Sequence, residues 1–398
     1  MKHKIFKLQG KMQHYAWGGY EFIPQLLGFE NAVHKPCAEY WMGAHPSASG
    51  KLETEDGLLP WYDLIQQEPV EHLGEKVYEQ FGELPYLLKV LDVREMLSIQ
   101  VHPTKEEAKK GFQREEASGV AINAAHRNYK DKNHKPEVMV ALGEFWLLHG
   151  FKKEEALQRI LDTIPEFDFL SKVFANANYY DLYRTVMEMP QEEADGLLLP
   201  LVARELTTPH TKDEPGYWVA TLYDGVLPVS NIDKGIFSIY FFNIVRLQEG
   251  EAVFQGAGVP HAYLEGQNVE LMANSDNVLR GGLTPKHIDV PELLRHIVFE
   301  GIEPHVLTGE VSTTGELTYP LPIEDFGISV LKLENGHEYV FKSKSAEIFL
   351  VMQGKAHCGT LTCKRGEVFV VLPDEEYTIR GIENVVIYKA FVPLVVKA

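Results

Sequence analysis

The chain has 398 residues, of which 45% are apolar and 24% charged, and its formal net charge is −19. These are the proportions of a folded protein long enough for two or three domains, each burying its own core. Such a negative charge excludes non-specific nucleic-acid binding and obliges any anionic ligand to find a local cluster of Lys and Arg.

The N-terminal stretch MKHKIFKLQGKMQHYAW has no apolar signal core, and no apolar run in the chain approaches the ~20 residues of a membrane span. Cys37, Cys358 and Cys363 fall in no C-x-x-C motif and make no disulfide framework. The expectation is a cytoplasmic protein with no membrane partner and no nucleic-acid partner. In the first ninety residues, QHYAWGGYEF and CAEYWMGAHPSASG set aromatics beside glycines, the composition of strands and tight loops. His14 and His45 lie there and read as surface or hydrogen-bonded core histidines before ligands.

Leu84–Leu91 is an apolar strand leading into LDVREMLSIQVHP, which reads as a strand. Leu97, Ile99 and Val101 fall on one face, with Ser98, Gln100 and His102 on the other. Gln100 and His102 then project side by side, roughly 6–7 Å apart along the strand, until Pro103 ends the ladder. Thr104 and Glu107 fit a capping box opening a short charged helix. In NHKPEVMVAL, Val138, Val140 and Leu142 alternate with Glu137, Met139 and Ala141, so Lys135 and Glu137 share a strand face. From about Phe151 to Gly225 the period lengthens: Leu157, Ile160, Leu161 and Ile164, then Tyr179, Leu182, Tyr183 and Val186, mark short helices punctuated by Pro165, Pro190 and Pro200. β character returns at Ile236. Gly256, Gly258 and Pro260 set His261 just after a tight turn, and Asp276 and Arg280 lie in a loop beyond the alternating strand Asn268–Ala273. The tail from Tyr319 has the strand and turn spacing of a small sandwich or jelly roll. Gly250-Glu251-x-Val253-Phe254, running on to Tyr263, is repeated faintly as Gly366-Glu367-Val368-Phe369, running on to Tyr377, with no histidine in place of His261.

Gln100, His102, Glu137 and His261 are polar residues at otherwise apolar β positions. Two imidazoles, a carboxylate and an amide oxygen suit Zn²⁺; two histidines and a carboxylate also suit Fe(II) in an oxygenase. The amide, as a fourth protein ligand, favours zinc.

LPYLLKVLDVREMLSIQVHP, NHKPEVMVAL, GVPHAY and ELMANSDNVLRGGLTPKHID together resemble the type I mannose-6-phosphate isomerase family of the cupin superfamily, and YAWGG and EYWMGAHPSA fit it too. The resemblance spans roughly residues 10–300. It implies one zinc per chain, held by Gln100, His102, Glu137 and His261, with Arg280 as an active-site residue. It further implies the reversible conversion of mannose 6-phosphate to fructose 6-phosphate, through an enediol whose negative charge a cation and a guanidinium stabilise. Lys135, Asp276 and His134 are candidates for proton transfer, and Ser98, Lys286, Lys89 and Arg280 for the phosphate. The expected fold is mainly β with a helical insertion: a cupin-type jelly-roll catalytic domain at 1–150 and 229–310, helices at 151–228, and a second, degenerate cupin-like β domain at 311–398. An iron oxygenase and a non-catalytic sugar-phosphate-binding cupin are the alternatives. The oligomeric state is not readable, and a monomer is compatible.

Overall fold

Alternation with period two builds the centre of the molecule. On the strand Tyr86–Val93, Tyr86, Leu88 and Val90 point to one side and Leu87, Lys89, Leu91 and Val93 to the other. Glu137–Ala141 and His261–Ala273 split in the same way. Val138, Val140, Val269, Leu271 and Ala273 join Leu88 and Val90 in one core; Met139, Ala141 and Tyr263 join Leu91 and Val93 in a second. The second set lines the inside of a barrel, and Lys89, Glu137, His261 and Glu270 are carried on that inner face. The computed structural model describes residues 4–313 and 315–394; residues 1–3, 314 and 395–398, which belong to the first and last domains drawn from the sequence, lie outside it.

Among the described residues, the long strand His261–Ala273 is the axis of an 11-stranded sheet. Tyr86–Val93 pairs along one edge of it, from Gly266↔Val93 to Ala273↔Tyr86. Glu137–Ala141 pairs along the other, from Asn268↔Ala141 to Met272↔Glu137. Its first residues pair with Phe145–Phe151 and with Gln100. A 9-stranded sheet packs on the outer face, its Ile348, Leu350, Val368 and Val370 meeting Leu88 and Leu271 in the shared core. A 4-stranded sheet closes the far side of the 9-stranded one, over Phe349, Val351, Phe369 and Ile379. The C-terminal tail is therefore a second, flattened barrel, a sandwich of two sheets, as its turn spacing predicts. Helices between Glu154 and Phe241 bury Leu157, Leu161, Leu182, Tyr183 and Val186 against Ile99, Val101 and Leu148 of the first barrel.

The structure departs from the sequence reading in four places. The stretch Leu91–His102 is not one strand. Its ladder stops at Val93 and resumes only for Gln100–Val101. Between them, the Leu97 and Ile99 N–H groups donate to the carbonyls of Tyr263 and Gly282 (2.9 and 3.0 Å), partners far along the chain. Second, Ile5–Gln9 and its neighbour Lys51–Thr54 join the 9-stranded sheet of the C-terminal domain instead of the sheet that carries most of the strands of residues 1–150. Ile5–Gln9 lies against Val368–Val371 of the C-terminal sandwich, burying Phe6 and Leu8 in the core between the two large sheets. Third, the helical insertion runs on through Gly235–Phe241, because it ends only where Phe242–Leu247 pairs back onto Phe145–Phe151. Fourth, Thr104 caps its helix by accepting the Glu107 N–H, but the Glu107 carboxylate turns to Lys110 and leaves the other half of the capping box unmade.

Candidate metal centre and pocket

His261 opens its strand directly after a turn that needs Gly258 in the left-handed region (φ +80°), where a Cβ would press on the His296 carbonyl. The Gly258 N–H donates to the His102 carbonyl (2.9 Å), so one turn ties both histidines together. Across the ladder, His261 faces Gln100. Glu137 enters from the first position of its own strand, just after Pro136, where a missing N–H costs no ladder bond.

The two imidazoles are oriented by backbone carbonyls. His102 Nδ1 is 3.0 Å from the Asn277 carbonyl and His261 Nδ1 is 2.9 Å from that of Val259. A carbonyl only accepts, so each Nδ1 carries the proton and each Nε2 presents a lone pair. Those nitrogens lie 3.5 and 3.4 Å from the two carboxylate oxygens of Glu137, and all three side chains are buried. Lone pairs facing one another in a dry site repel unless a cation lies among them, and His102 Nε2 has no hydrogen-bond partner. Tetrahedral ligands about 2.0–2.2 Å from a zinc ion stand roughly 3.3–3.6 Å apart, which is the spacing found. The donor set therefore fits zinc. Burial, opposed by Glu137, lowers the His102 pKa to about 4, so the imidazole is neutral and able to ligate. Burial works against the Glu137 carboxylate, but the Lys135 ammonium outweighs it and holds its pKa well below the usual range.

Beside the cluster lies a cavity of about 540 Å³. Gln100, Lys135, Ser98, Asp276, Arg280, Lys286 and Lys89 all line it. Arg280 makes no ion pair among the described residues, and its buried Nε has no hydrogen-bond partner. Burial lowers the Arg280 pKa; burial and the neighbouring Arg280 lower that of Lys286, which likewise has no acidic partner among the described residues. Two unpaired cations on one wall supply the local positive field that a protein of charge −19 needs for an anionic ligand. Lys89 is already committed: its Nζ lies 3.0 Å from Glu270 and 3.5 Å from Glu39, over the Trp41 ring. Burial opposes the Lys89 charge, but Glu270, Glu39 and Glu137 outweigh it and raise its pKa. Lys135 Nζ is 3.1 Å from Glu137 Oε1.

Two of the named histidines lie away from the cavity. His134 pairs with Asp325 at 2.8 Å, and His14 Nδ1 is 2.6 Å from the Pro36 carbonyl. His45 is buried, with Nε2 3.5 Å from the pocket-lining Asp276. Sequence reasoning missed Glu39, Glu270, Tyr263 and Asn277. Glu270 carries the same signal that exposed Glu137, a carboxylate inside an alternating apolar strand; Tyr263 donates to it at 2.7 Å. Asn277 carries no local signal: its amide binds the backbone of Lys130, Asp131 and Asn133, fixing the carbonyl that orients His102.

A family model described as phosphomannose isomerase type I, catalytic domain, matches residues 5–154. Mannose-6-phosphate isomerase of Escherichia coli K12 is 37% identical over 395 residues, covering 94% of this chain and 97% of its own length. The Homo sapiens mannose-6-phosphate isomerase is 33% identical, covering 97% of this chain and 98% of its own. The crystal structure of the Salmonella typhimurium mannose 6-phosphate isomerase bound to substrate (F6P) and zinc superimposes with a TM-score of 0.88 at 34% identity, over 98% of this chain and 100% of that one.

Proposed function

The chain belongs to the type I phosphomannose isomerase family, and on that premise we propose how its own residues carry out the family's reaction. It is an aldose–ketose isomerase that interconverts mannose 6-phosphate and fructose 6-phosphate with zinc as cofactor. In our reading Gln100, His102, Glu137 and His261 hold one zinc ion per chain. When bound there, zinc supplies Lewis acidity toward the carbonyl and hydroxyl oxygens at C1 and C2 of the sugar.

The remaining work falls to the side chains around the cavity. Moving a proton between C1 and C2 passes through an enediol, so negative charge grows on O1 and O2. Arg280, an unpaired guanidinium in a partly dry wall, stabilises that charge with a planar fork of donors. Lys286, beside it and unpaired, takes the phosphate, with Ser98 on the facing segment as a hydroxyl donor. Asp276 lines the same cavity and is the carboxylate we assign to proton transfer, with Lys135 as its cationic counterpart across the pocket. His134, turned to Asp325, orients the loop before Lys135 and does not touch the sugar. Lys89 reaches the cavity wall from its carboxylate pair and sets the local field.

The observation that carries this reading is the convergence of His102, His261 and Glu137 at 3.4–3.5 Å beside an unpaired Arg280. Its test is a coupled isomerase assay with and without chelator, followed by zinc. Activity lost to the chelator and regained with zinc is expected; full turnover by a metal-free preparation sinks the metal assignment. We further propose that both barrels are of the cupin type and that the protein works in the cytoplasm as a monomer. No helix among the described residues is long and apolar enough to cross a membrane. The three cysteines are buried and unpaired, and one chain carries the whole ligand set.

A further inference from the structure

Asp233 lies outside the cavity, on the short segment between the helices Pro215–Leu222 and Gly235–Phe241 of the helical insertion. Its carboxylate accepts three backbone N–H groups. Oδ1 takes those of Gly235 (2.7 Å) and Leu283 (2.9 Å), and Oδ2 takes that of Thr284 (2.9 Å). Two of the three belong to the loop that follows Arg280, about fifty residues later in the chain.

That loop needs holding. Leu283 sits at φ +53°, a left-handed conformation that a leucine rarely adopts. Gly282, at φ +128°, packs so closely on Gly235 that a Cβ there would come within 2.5 Å of the Gly235 Cα. A Cβ on Gly281 would stand 2.9 Å from the Tyr183 hydroxyl oxygen of the insertion. On its other side the loop is pinned to the ligand-bearing segment, since Gly281 N–H donates to the Ile99 carbonyl and Ile99 N–H to the Gly282 carbonyl. Arg280, Leu283, Thr284, Pro285 and Lys286 all line the cavity. An αL leucine persists only where its surroundings over-determine it, and here a carboxylate with three N–H donors does so.

We infer that Asp233 is a positioning residue for the isomerase reaction: its carboxylate holds the 282–284 turn so that Arg280, just before it, faces the substrate. The helical insertion thereby gains a role as the frame that fixes this wall of the pocket. The inference rests on the reading of Arg280 given above.

The test compares zinc-loaded wild type with Asp233→Ala, Asp233→Asn, Arg280→Ala and the Asp233→Ala/Arg280→Ala double variant. For each, kcat, KM for mannose 6-phosphate, zinc content and melting temperature are measured. Asp233→Ala is expected to lower kcat/KM on the order of 10–100-fold, the scale of a remote change that misplaces a reacting group, with about one zinc per chain retained. In the Arg280→Ala background the same change is expected to cost less than about threefold, since residues acting through one another are not additive. The inference is overturned if Asp233→Ala keeps wild-type constants, or if its loss is as large without Arg280 as with it. It is overturned equally if both Asp233 variants lose zinc and melting temperature together, which marks a merely structural cap. Full turnover in Arg280→Ala alone instead rejects the underlying reading of Arg280, whatever Asp233 does.

Discussion

The two barrels each carry a lysine, two carboxylates and a tyrosine inside, and the first also opens onto a cavity beside its histidines. In the first, Lys89 lies 3.0 Å from Glu270 and 3.5 Å from Glu39, and Tyr263 donates to Glu270 at 2.7 Å. In the second, Lys389 lies 3.2 Å from Glu347 and 3.1 Å from Glu316, and Tyr377 donates to Glu347 at 2.7 Å. Tyr263 and Tyr377 are the residues that the faint internal repeat aligns. The lysine–glutamate–tyrosine group is therefore common to both interiors, and in the first its Lys89 also lines the cavity. The additions of the first barrel are His102, Glu137, His261 and an open wall bearing Arg280. In the second, Phe341, Phe391, Tyr339 and Phe349 crowd round Lys389 within 4.2–5.9 Å. The polar heart is shared; what differs is the histidine–glutamate cluster and the access around it.

The strongest way to break that comparison is to remove what the first barrel adds. His261→Ala is expected to lose both zinc and essentially all turnover, measured by metal analysis and the coupled assay; a variant that keeps its zinc removes His261 from the ligand set. Arg280→Ala comes next. It is expected to keep its zinc and lose about 10²–10³ in kcat, the cost of deleting one donor aimed at developing charge. Turnover within a few-fold of wild type takes Arg280 out of the mechanism.

Much of this was legible because a strand side chain has only two directions to point. A polar residue in an alternating apolar strand must face either solvent or something worth its desolvation, and that argument isolated Gln100, His102, Glu137 and His261. Applied more evenly, it also picks out Lys89 and Glu270. What stayed hidden has its partners far away in the chain. The break after Val93 arises because Leu97 and Ile99 find acceptors at Tyr263 and Gly282. Ile5–Gln9 crosses to Val368–Val371 because Phe6 and Leu8 complete the core between the large sheets. Nothing local to Asp233 announces that its carboxylate serves residues fifty positions on. Period two reveals a face, and it is silent about which strand comes to lie opposite.

The shared cluster makes its own prediction, in stability rather than rate. Lys389 is 2% exposed, so Lys389→Met strands Glu316 and Glu347 in a dry interior. Losing one partner of such a buried group costs about 3–5 kcal/mol, to be read from the denaturant midpoint. Zinc content and kcat/KM of the folded fraction are expected to stay within about twofold of wild type. Changed kinetics with fold and zinc intact mean that the second barrel takes part in the reaction. The Lys389→Met/Glu316→Met/Glu347→Met variant sharpens the point: with all three charges replaced by apolar volume, much of the lost stability should return.

The smallest expected effect separates the barrels by acid. His149, opposite His261 in the first barrel, is 5% exposed, and neither of its ring nitrogens has a hydrogen-bond partner. Burial first, and the nearby His261 second, lower its pKa to about 4. Its unfolded value is about 6.5. Between those two values the unfolded chain binds a proton that the folded chain refuses, so stability falls as pH drops from about 6.5 to about 4 and the slope then ends. Burial drives Glu347 in the second barrel the other way, raising its pKa despite Lys389. A carboxyl that holds its proton better when folded contributes stability below its unfolded pKa, and that contribution is lost as pH rises. Mild acid thus loosens the first barrel while favouring the second. Urea unfolding of the zinc-free protein should show wild type losing up to about 3 kcal/mol to His149 over that pH window. His149→Phe is expected to flatten the slope by that amount; an unchanged slope would mean that His149 is protonated in the folded barrel, and that the first interior is no drier than its histidine-free counterpart.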